Sequence, residues 1–301
     1  MTDGSATTLR DEARAKVNLT LRVVGRRPDG YHELESVVAF ADCADHLTLQ
    51  PGAALSLATI GPGAQDCGDS ADNLVLKAAR LLGERVPNLK AGAFTLDKHL
   101  PVAAGIGGGS ADAAAALRLL ARANDLTVDD PRLIEAARLT GADVPVCLPS
   151  KPCVMTGVGE KLSPLPLPLP RIPAVMVNPR VPVATKDVFT ALGLKPGSLA
   201  VGATDVLAAP AWPKAGAPLA DWVVALKAGT NDLEPPALKV EPVVGTVLEA
   251  LQATAGVQLA RMSGSGATCF ALYADDASAR AAADTLRAAH PGWWVHAGSL
   301  S

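Results

Sequence analysis

Four glycines in five positions constrain this chain more than any other feature. They are Gly105, Gly107, Gly108 and Gly109, within Lys98-His99-Leu100-Pro101-Val102-Ala103-Ala104-Gly105-Ile106-Gly107-Gly108-Gly109-Ser110-Ala111-Asp112. Before this stretch, Ala93 to Leu96 carries the apolar and β-branched residues of a short strand. After it, Ala113 to Ala123 is built of Ala, Leu and Arg, which favour helix. The order is therefore strand, glycine loop, helix. Missing Cβ atoms let a ligand approach the backbone. The loop runs its N–H groups into a first helical turn, where the dipole places roughly half a positive charge. Such a corner takes an anion, usually a phosphate chain. A plain tight turn would ask for only one or two glycines.

Three common phosphate loops do not fit. The P-loop ends in Gly-Lys-Ser/Thr, and no lysine separates Gly109 from Ser110. A dinucleotide fingerprint needs a glycine where Ser110 stands. The protein-kinase loop covers phosphates from a hairpin, whereas this one opens a helix.

The stretch resembles the second motif of the GHMP kinases, Pro-x-x-x-Gly-Leu-Gly-x-Gly/Ser-Ser, here Pro101 to Ser110 with Ile106 in place of leucine. Ala13-Arg14-Ala15-Lys16-Val17-Asn18-Leu19 resembles the first motif, with Arg14 where proline is usual. Arg261-Met262-Ser263-Gly264-Ser265-Gly266-Ala267 resembles the third, glycine-rich motif. Three ordered motifs span most of the chain, and together they are far more specific than one glycine loop.

Length and composition set the remaining bounds. A chain of 301 residues exceeds the usual single core, and 49% hydrophobic residues supply two. The proline-rich run Pro164 to Pro170 can only be extended, which places a domain boundary there: residues 1–163 and 164–301. A net charge of −3 leaves no electrostatic footprint for nucleic acid or an anionic membrane. Cys43, Cys67, Cys147, Cys153 and Cys269 are scattered and odd in number, against structural zinc or a disulfide scaffold. Met1 to Thr8 is polar, without the apolar core of a signal peptide, and no run of eighteen apolar residues is present. The expectation is a cytoplasmic protein.

Other segments read as follows. Leu9 to Val24 is strand material interrupted at Arg14 to Lys16, with Lys16 and Asn18 on one face; a strand lysine by itself points to solvent. Pro28-Asp29-Gly30 is a turn, and Tyr31-His32 after it could be no more than a hairpin with an exposed aromatic. Val37 to Leu57 gives two strands, broken around Asp42 to Asp45 and at Gly52. Gly61 to Asp72 is a loop. Asn73 caps a helix that runs through Leu82. Pro131 to Thr140 is an amphipathic helix. Asp143, set between Ala142 and an apolar run, is a helix cap, the buried partner of an arginine, or a catalytic acid. Ala174 to Val177 is a strand, and Thr185 N-caps a helix carrying Phe189. Gly193 to Ala228 carries no site signal. From Val243 the order is helix, strand, Ser-Gly loop, strand, helix, strand, which suggests a ferredoxin-like half.

The resemblance implies more than these residues show alone. It implies an α+β two-domain GHMP kinase fold, with an N-terminal domain like ribosomal-protein S5 domain 2 and a ferredoxin-like C-terminal domain, and a site in the cleft between them. It implies an ATP-dependent kinase using Mg2+, with Lys16 and Asp143 catalytic. ATP would be held by Pro101, Val102, Ala103, Ala104, Gly105, Ile106, Gly107, Gly108, Gly109 and Ser110, with Asn73 and Lys98 at the adenine and ribose end. Arg27-x-Asp29-Gly30-Tyr31-His32 is similar to a branch of the family that acts on a small cytidyl diphosphate. In that branch Asn18, Tyr31, His32, Thr185 and Phe189 bind substrate, although Val38 stands where another ring-lining phenylalanine is usual. No magnesium ligand is identifiable. A homoserine or mevalonate type of kinase shares the three motifs but has no use for Tyr31-His32 with Phe189. A non-catalytic nucleotide-binding protein on the same scaffold would be expected to lose Lys16 or Asp143. The partner is the small molecule, not nucleic acid or membrane, and the chain acts as a monomer or homodimer.

Overall fold

The computed structural model describes residues 7–69, 72–199 and 212–301. Most of the polar start and residues 200–211 of the low-signal stretch lie outside these. The chain packs as two compact units. One takes the residues up to Ala15, Cys43–Val102 and Gly107–Ser150; the other takes Lys16–Asp42, Ala103–Ile106 and Lys151–Ser301. Continuous segments of the chain pass from one unit to the other. They are strand β3 (His32–Pro51) and the glycine loop. Strand β1 (Leu9–Asn18) is likewise shared.

In the first unit, β4 (Ser56–Ile60) runs parallel to β5 (Gly92–Asp97), with Leu57 opposite Phe94. Strand β5 runs antiparallel to the second half of β3, pairing Leu47 with Leu96 and Leu49 with Phe94. These residues are fully buried. They alternate with polar ones, as a sheet covered on one face requires. The unit's helices are α1 (Leu74–Gly83), α2 (Gly108–Ala123), α3 (Pro131–Thr140) and the single turn α4 (Val144–Cys147); α1 packs on β4, α2 and α3, and α2 packs on α3 and α4. Helix α2 buries Ala111 to Leu117 almost completely, its small side chains letting neighbours come close. Pro131 sits in the first turn of α3 behind an Asp130 cap, where its missing N–H costs nothing.

In the second unit, β2 (Arg22–Arg26) pairs with the first half of β3. The other edge of that half takes β6 (Cys153–Gly157), which forms a hairpin with β7 (Lys161–Pro164). Further strands are β8 (Ile172–Asn178), β9 (Leu259–Met262), β10 (Cys269–Leu272) and β11 (Trp294–Leu300), antiparallel in the order β11-β8-β10-β9. Helices α5 (Thr185–Leu192), α6 (Leu219–Ala228), α7 (Glu234–Val240) and α8 (Val243–Gln252) lie between β8 and β9, and α9 (Asp276–Ala289) between β10 and β11. Four strands in that order with α8 and α9 packed on them are the ferredoxin-like arrangement expected.

Two strand readings are corrected. Strand β1 continues through Arg14 to Lys16, and β3 continues through Asp42 to Asp45. Their polar side chains find partners within the fold instead of ending the strand. Asp42 accepts from His296 and from the Ser299 N–H and hydroxyl. Asp45 accepts from His99, Leu100 and Lys98. Within Gly61 to Asp72, Ala64–Cys67 forms a short 3-10 turn.

Candidate active site

Strand β5 delivers Lys98 to the start of the glycine loop, and the first unit buries it. Its ammonium lies 2.6 Å from Asp45 Oδ2 and 2.7 Å from Asp112 Oδ2. Lys98 is 3% exposed and Asp45 0%, so water does not screen these pairs. Burial opposes the ammonium's charge, yet the two carboxylates outweigh it and hold Lys98 above its ordinary pKa. The acids differ. Asp45 Oδ1 also accepts the His99 and Leu100 N–H groups at 2.6 and 2.8 Å. Asp112 Oδ1 is buried without a hydrogen-bond partner among the described residues. Burial, opposed by Lys98 and reinforced by Asp45, pushes Asp112 up to about 7. A Cβ on Gly108 would stand 3.3 Å from the Lys98 ammonium, so this cluster lies directly under the first turn of α2.

Helix α2 begins at Gly108 and not at Ala113. The loop therefore folds its own glycines into the first turn, after Gly107 at φ 64°. Pro101 is half-buried, Val102 is 39% exposed, and Gly107, Gly108 and Ser110 are half-buried beside the exposed Gly109. Asn73 caps α1, its side chain accepting the Val75 N–H at 2.9 Å. Asp143 is half-buried at the N-cap position of α4, without a side-chain capping bond.

The second unit joins the three glycine- and lysine-bearing motifs through hydrogen bonds. The Lys16 N–H donates to the Ile106 carbonyl at 2.9 Å, and the Thr268 N–H to the Ala104 carbonyl at 3.1 Å. Ser263 Oγ donates to the Gly105 carbonyl at 3.2 Å and accepts the Asn18 N–H at 3.1 Å. Ala103 stands exposed at φ 52° ahead of them. Gly105 is at φ +74°, and a Cβ there would lie 2.6 Å from the Gly266 carbonyl and 2.7 Å from that of Ser263. A side chain would therefore separate the two loops.

Lys16 is 4% exposed, so it does not point to solvent as a strand lysine ordinarily does. It acts on Cys153: burial pushes that thiol up to about 11, with the Lys16 charge pulling the other way. Asn18 donates to Ser36 Oγ at 2.7 Å, while its Oδ1 is buried without a partner among the described residues.

His32 and Phe189 form a stacked pair, ring centroids 4.4 Å apart and planes 24° from parallel. His32 Nε2 is buried and without a partner among the described residues. Burial, and then the charge of Arg26, lowers its pKa and so favours the uncharged ring. Tyr31 is 63% exposed. Thr185 is not the N-cap expected of it. Ala184 holds that position, and the Thr185 hydroxyl is 2.9 Å from Ser265 Oγ of the third motif. Val38 is fully buried opposite Cys153.

The sequence alone assigns no role to several residues that shape this site. Asn231 donates to the carbonyls of Met262 and Gly264 at 2.8 and 2.9 Å, and Glu234 accepts the Met262 N–H. Buried Arg261 donates to the carbonyls of Leu19, Leu226 and Gly229. Ser36, Asp45 and Asp112 complete the set. Asp112 had a signal, an acid inside an alanine run that otherwise reads as core.

A family model for the GHMP kinases N terminal domain matches residues 73–151, and one for the GHMP kinases C terminal matches residues 219–292. A Rhodopseudomonas palustris protein named 4-diphosphocytidyl-2-C-methyl-D-erythritol kinase is 96% identical over 301 residues, covering 100% of each chain. A Bradyrhizobium diazoefficiens protein of the same name is 72% identical over 291 residues, 97% of each. The crystal structure of a 4-(cytidine 5'-diphospho)-2C-methyl-D-erythritol kinase is similar at a TM-score of 0.73 and 34% identity, over 97% of this chain and 99% of that one. Homoserine kinase from Cytophaga hutchinsonii shares the fold, at a TM-score of 0.68 and 19% identity over 97% and 94%.

Proposed function

The chain belongs to the GHMP kinases, and from that footing we propose that it transfers the γ-phosphoryl group of ATP to the C2 hydroxyl of 4-diphosphocytidyl-2-C-methyl-D-erythritol, a step of the non-mevalonate route to isoprenoid precursors. The observation that carries the substrate assignment is the His32–Phe189 stack, with an unpartnered Nε2 on an imidazole that burial and Arg26 bias toward its uncharged form. A neutral imidazole both donates and accepts, as the polar edge of cytosine requires. Tyr31 and Phe189 offer aromatic faces for the ring, stacking that is worth about 1–3 kcal/mol per base in nucleic-acid proteins. Asn18 Oδ1, buried and without a partner among the described residues, offers an acceptor to a substrate hydroxyl. Homoserine and mevalonate present no ring for such a pair.

The transition state of phosphoryl transfer is loose and anionic, so positioning and charge stabilisation dominate. Asp143 accepts the proton of the attacking hydroxyl. Lys16 neutralises charge on the migrating group. The N–H groups of residues 105–110 hold the phosphates, and Asn73 and Lys98 stand toward the nucleoside, Lys98 acting through the segment that it anchors. Among the described residues no group of three or more His, Cys, Asp or Glu could cage a metal ion. We propose Mg2+ carried in by the triphosphate, an ion commonly held by substrate phosphates with one or two protein carboxylates. Magnesium supplies charge neutralisation of the triphosphate. Among the described residues no helix is long and apolar enough to cross a membrane. Five free thiols suit a reducing cytoplasm, where we place the enzyme as a monomer or homodimer. We keep residues 1–163 and 164–301 as its domain division.

The test is ATP turnover against a panel of the cytidyl diphosphate, homoserine and phosphomevalonate. Turnover with the cytidyl compound alone is expected; preference for either other acceptor would overturn the assignment. In the same assay Asp143→Asn should lose about two to four orders of magnitude while still binding ATP. Lys16→Ala should lose about a hundred-fold or more. Near-normal turnover would remove that residue from its role.

A further inference from the structure

We propose that Arg26 is a positioning residue for the cytidyl group, a clasp that holds the turn bearing Tyr31 and His32 to the segment leaving helix α5. This rests on the substrate reading above, which assigns Arg26 no part.

The geometry begins in the β2–β3 hairpin, where Arg26 and His32 are directly paired, so their side chains leave the same face. The guanidinium reaches in two directions. Nε donates to the Gly30 carbonyl at 3.1 Å, inside the turn, and Nη1 donates to the Leu194 carbonyl at 2.9 Å, just beyond the end of α5. Backbone bonds draw the same two segments together: Arg26 N–H to the Ser198 carbonyl at 2.9 Å and Gly197 N–H to the Arg26 carbonyl at 2.8 Å. The approach is close enough that a Cβ on Gly25 would stand 2.8 Å from the Ser198 oxygen. One wall of the base site is the turn and the other is α5 with Phe189. A single planar side chain therefore fixes both, its Nε–H and Nη1–H groups each taking one carbonyl in a rigid fork.

Arg26 does a second thing that a purely mechanical brace would not. Its positive charge faces the His32 imidazole and favours the uncharged ring, in the same direction as burial. The ring that would read the cytosine edge is thus kept able to donate and accept by the residue that sets its distance from Phe189.

The experiment compares Arg26→Ala, Arg26→Gln and Arg26→Lys, each checked for folding by thermal melting. It measures KM for the cytidyl substrate and for ATP, direct binding of CDP, and the His32 titration by NMR. Arg26→Ala should raise the cytidyl KM about ten-fold with the ATP KM changed less than about two-fold, the loss of about one charged hydrogen bond. His32 should titrate at higher pH in the Ala and Gln variants, because a positive neighbour has gone. Arg26→Lys keeps the charge but not the fork, so it should hold the His32 titration near wild type while recovering only part of the KM. An unchanged cytidyl KM and CDP affinity, equal rises in both KM values, or an unmoved His32 titration in the Ala variant would each overturn the proposal. If the wild-type chain binds CDP through Arg26 but does not turn over the cytidyl substrate, the substrate reading fails and the clasp stands. Wild-type turnover with Arg26 variants unaffected is the reverse outcome. A wild-type chain that neither binds CDP nor uses the substrate overturns both.

Discussion

The far side of the glycine loop, from Gly107 to Asp112, rests on buried charge, whereas residues 103–106 rest on neutral backbone. Under the first lie Asp45, Lys98 and Asp112, two acids sharing one ammonium. Around the second are the Ala104, Gly105 and Ile106 carbonyls, each taking one uncharged donor. The difference is in how each support fails. A buried ion cluster is strong while complete, but removing one member leaves uncompensated charge in a medium that cannot solvate it. Neutral bonds contribute about 0.5–1.5 kcal/mol each and fail singly. One support is sensitive to charge and pH, and the other to shape.

The sharpest way to break this contrast is Lys98→Met, which leaves two buried carboxylates without their cation. A loss of about 3–5 kcal/mol in chemical denaturation is expected. A loss below 1 kcal/mol, the level of a surface pair, would mean that water reaches the cluster.

Gly105→Ala probes the neutral side. A methyl group there meets two carbonyl oxygens and sits at a positive φ, so about 1–3 kcal/mol of strain is expected. Gly108→Ala, whose nearest contact would be the Lys98 ammonium at 3.3 Å, should cost less stability and act chiefly on nucleotide affinity, read by calorimetry. Equal losses at the two positions would erase the distinction.

Asn231→Leu removes both donors from the third motif's carbonyls, and about 1–3 kcal/mol should be lost. This loss should be the same at pH 6 and pH 8, because no titrating group is involved. A strong pH dependence would show that charge reaches this side as well.

A last contrast separates the two supports by pH alone. Asp112 is raised from about 3.9 when unfolded to about 7 when folded, so the folded state holds its proton more tightly. Its stabilising contribution is full below the unfolded value and fades as pH rises through about 7. Thermal melts of the wild-type chain against Asp112→Asn should therefore diverge between about pH 4 and 7, with the wild type losing more on the alkaline side. Parallel curves would place the titration elsewhere.

How much of this was legible in sequence depended on whether the partner lay nearby. Helix α3 was read to the residue, because Asp130 and Pro131 act within one turn of the helix that they start. The Asn73 cap was equally local. The three motifs were visible as strings, but their bonding was not: Asn18 and Ser263 are 245 positions apart. Strand β3 looks broken in sequence because Asp42 and Asp45 resemble a polar break until their partners are in view, 53 positions away for Lys98 and 254 for His296. Thr185 hides its partner for the same reason. A threonine before an apolar turn is a good local cap, and the Ser265 hydroxyl that takes it lies 80 positions on.

Strand β3 also sets an order in time. Its second half pairs with β5, whose last residue is Asp97, so that ladder can close once a third of the chain has been made. Its first half waits for β6, and the junction at Ala41 and Asp42 waits for β11, where Ser299 is 257 positions from its partner. Contacts between such distant residues close slowly, and domains emerging first from the ribosome fold first. A nascent chain should therefore protect the amides of β5 from exchange while the first half of β3 still presents an open edge. During that interval a chaperone, or another copy of the same strand, has its best access to this protein.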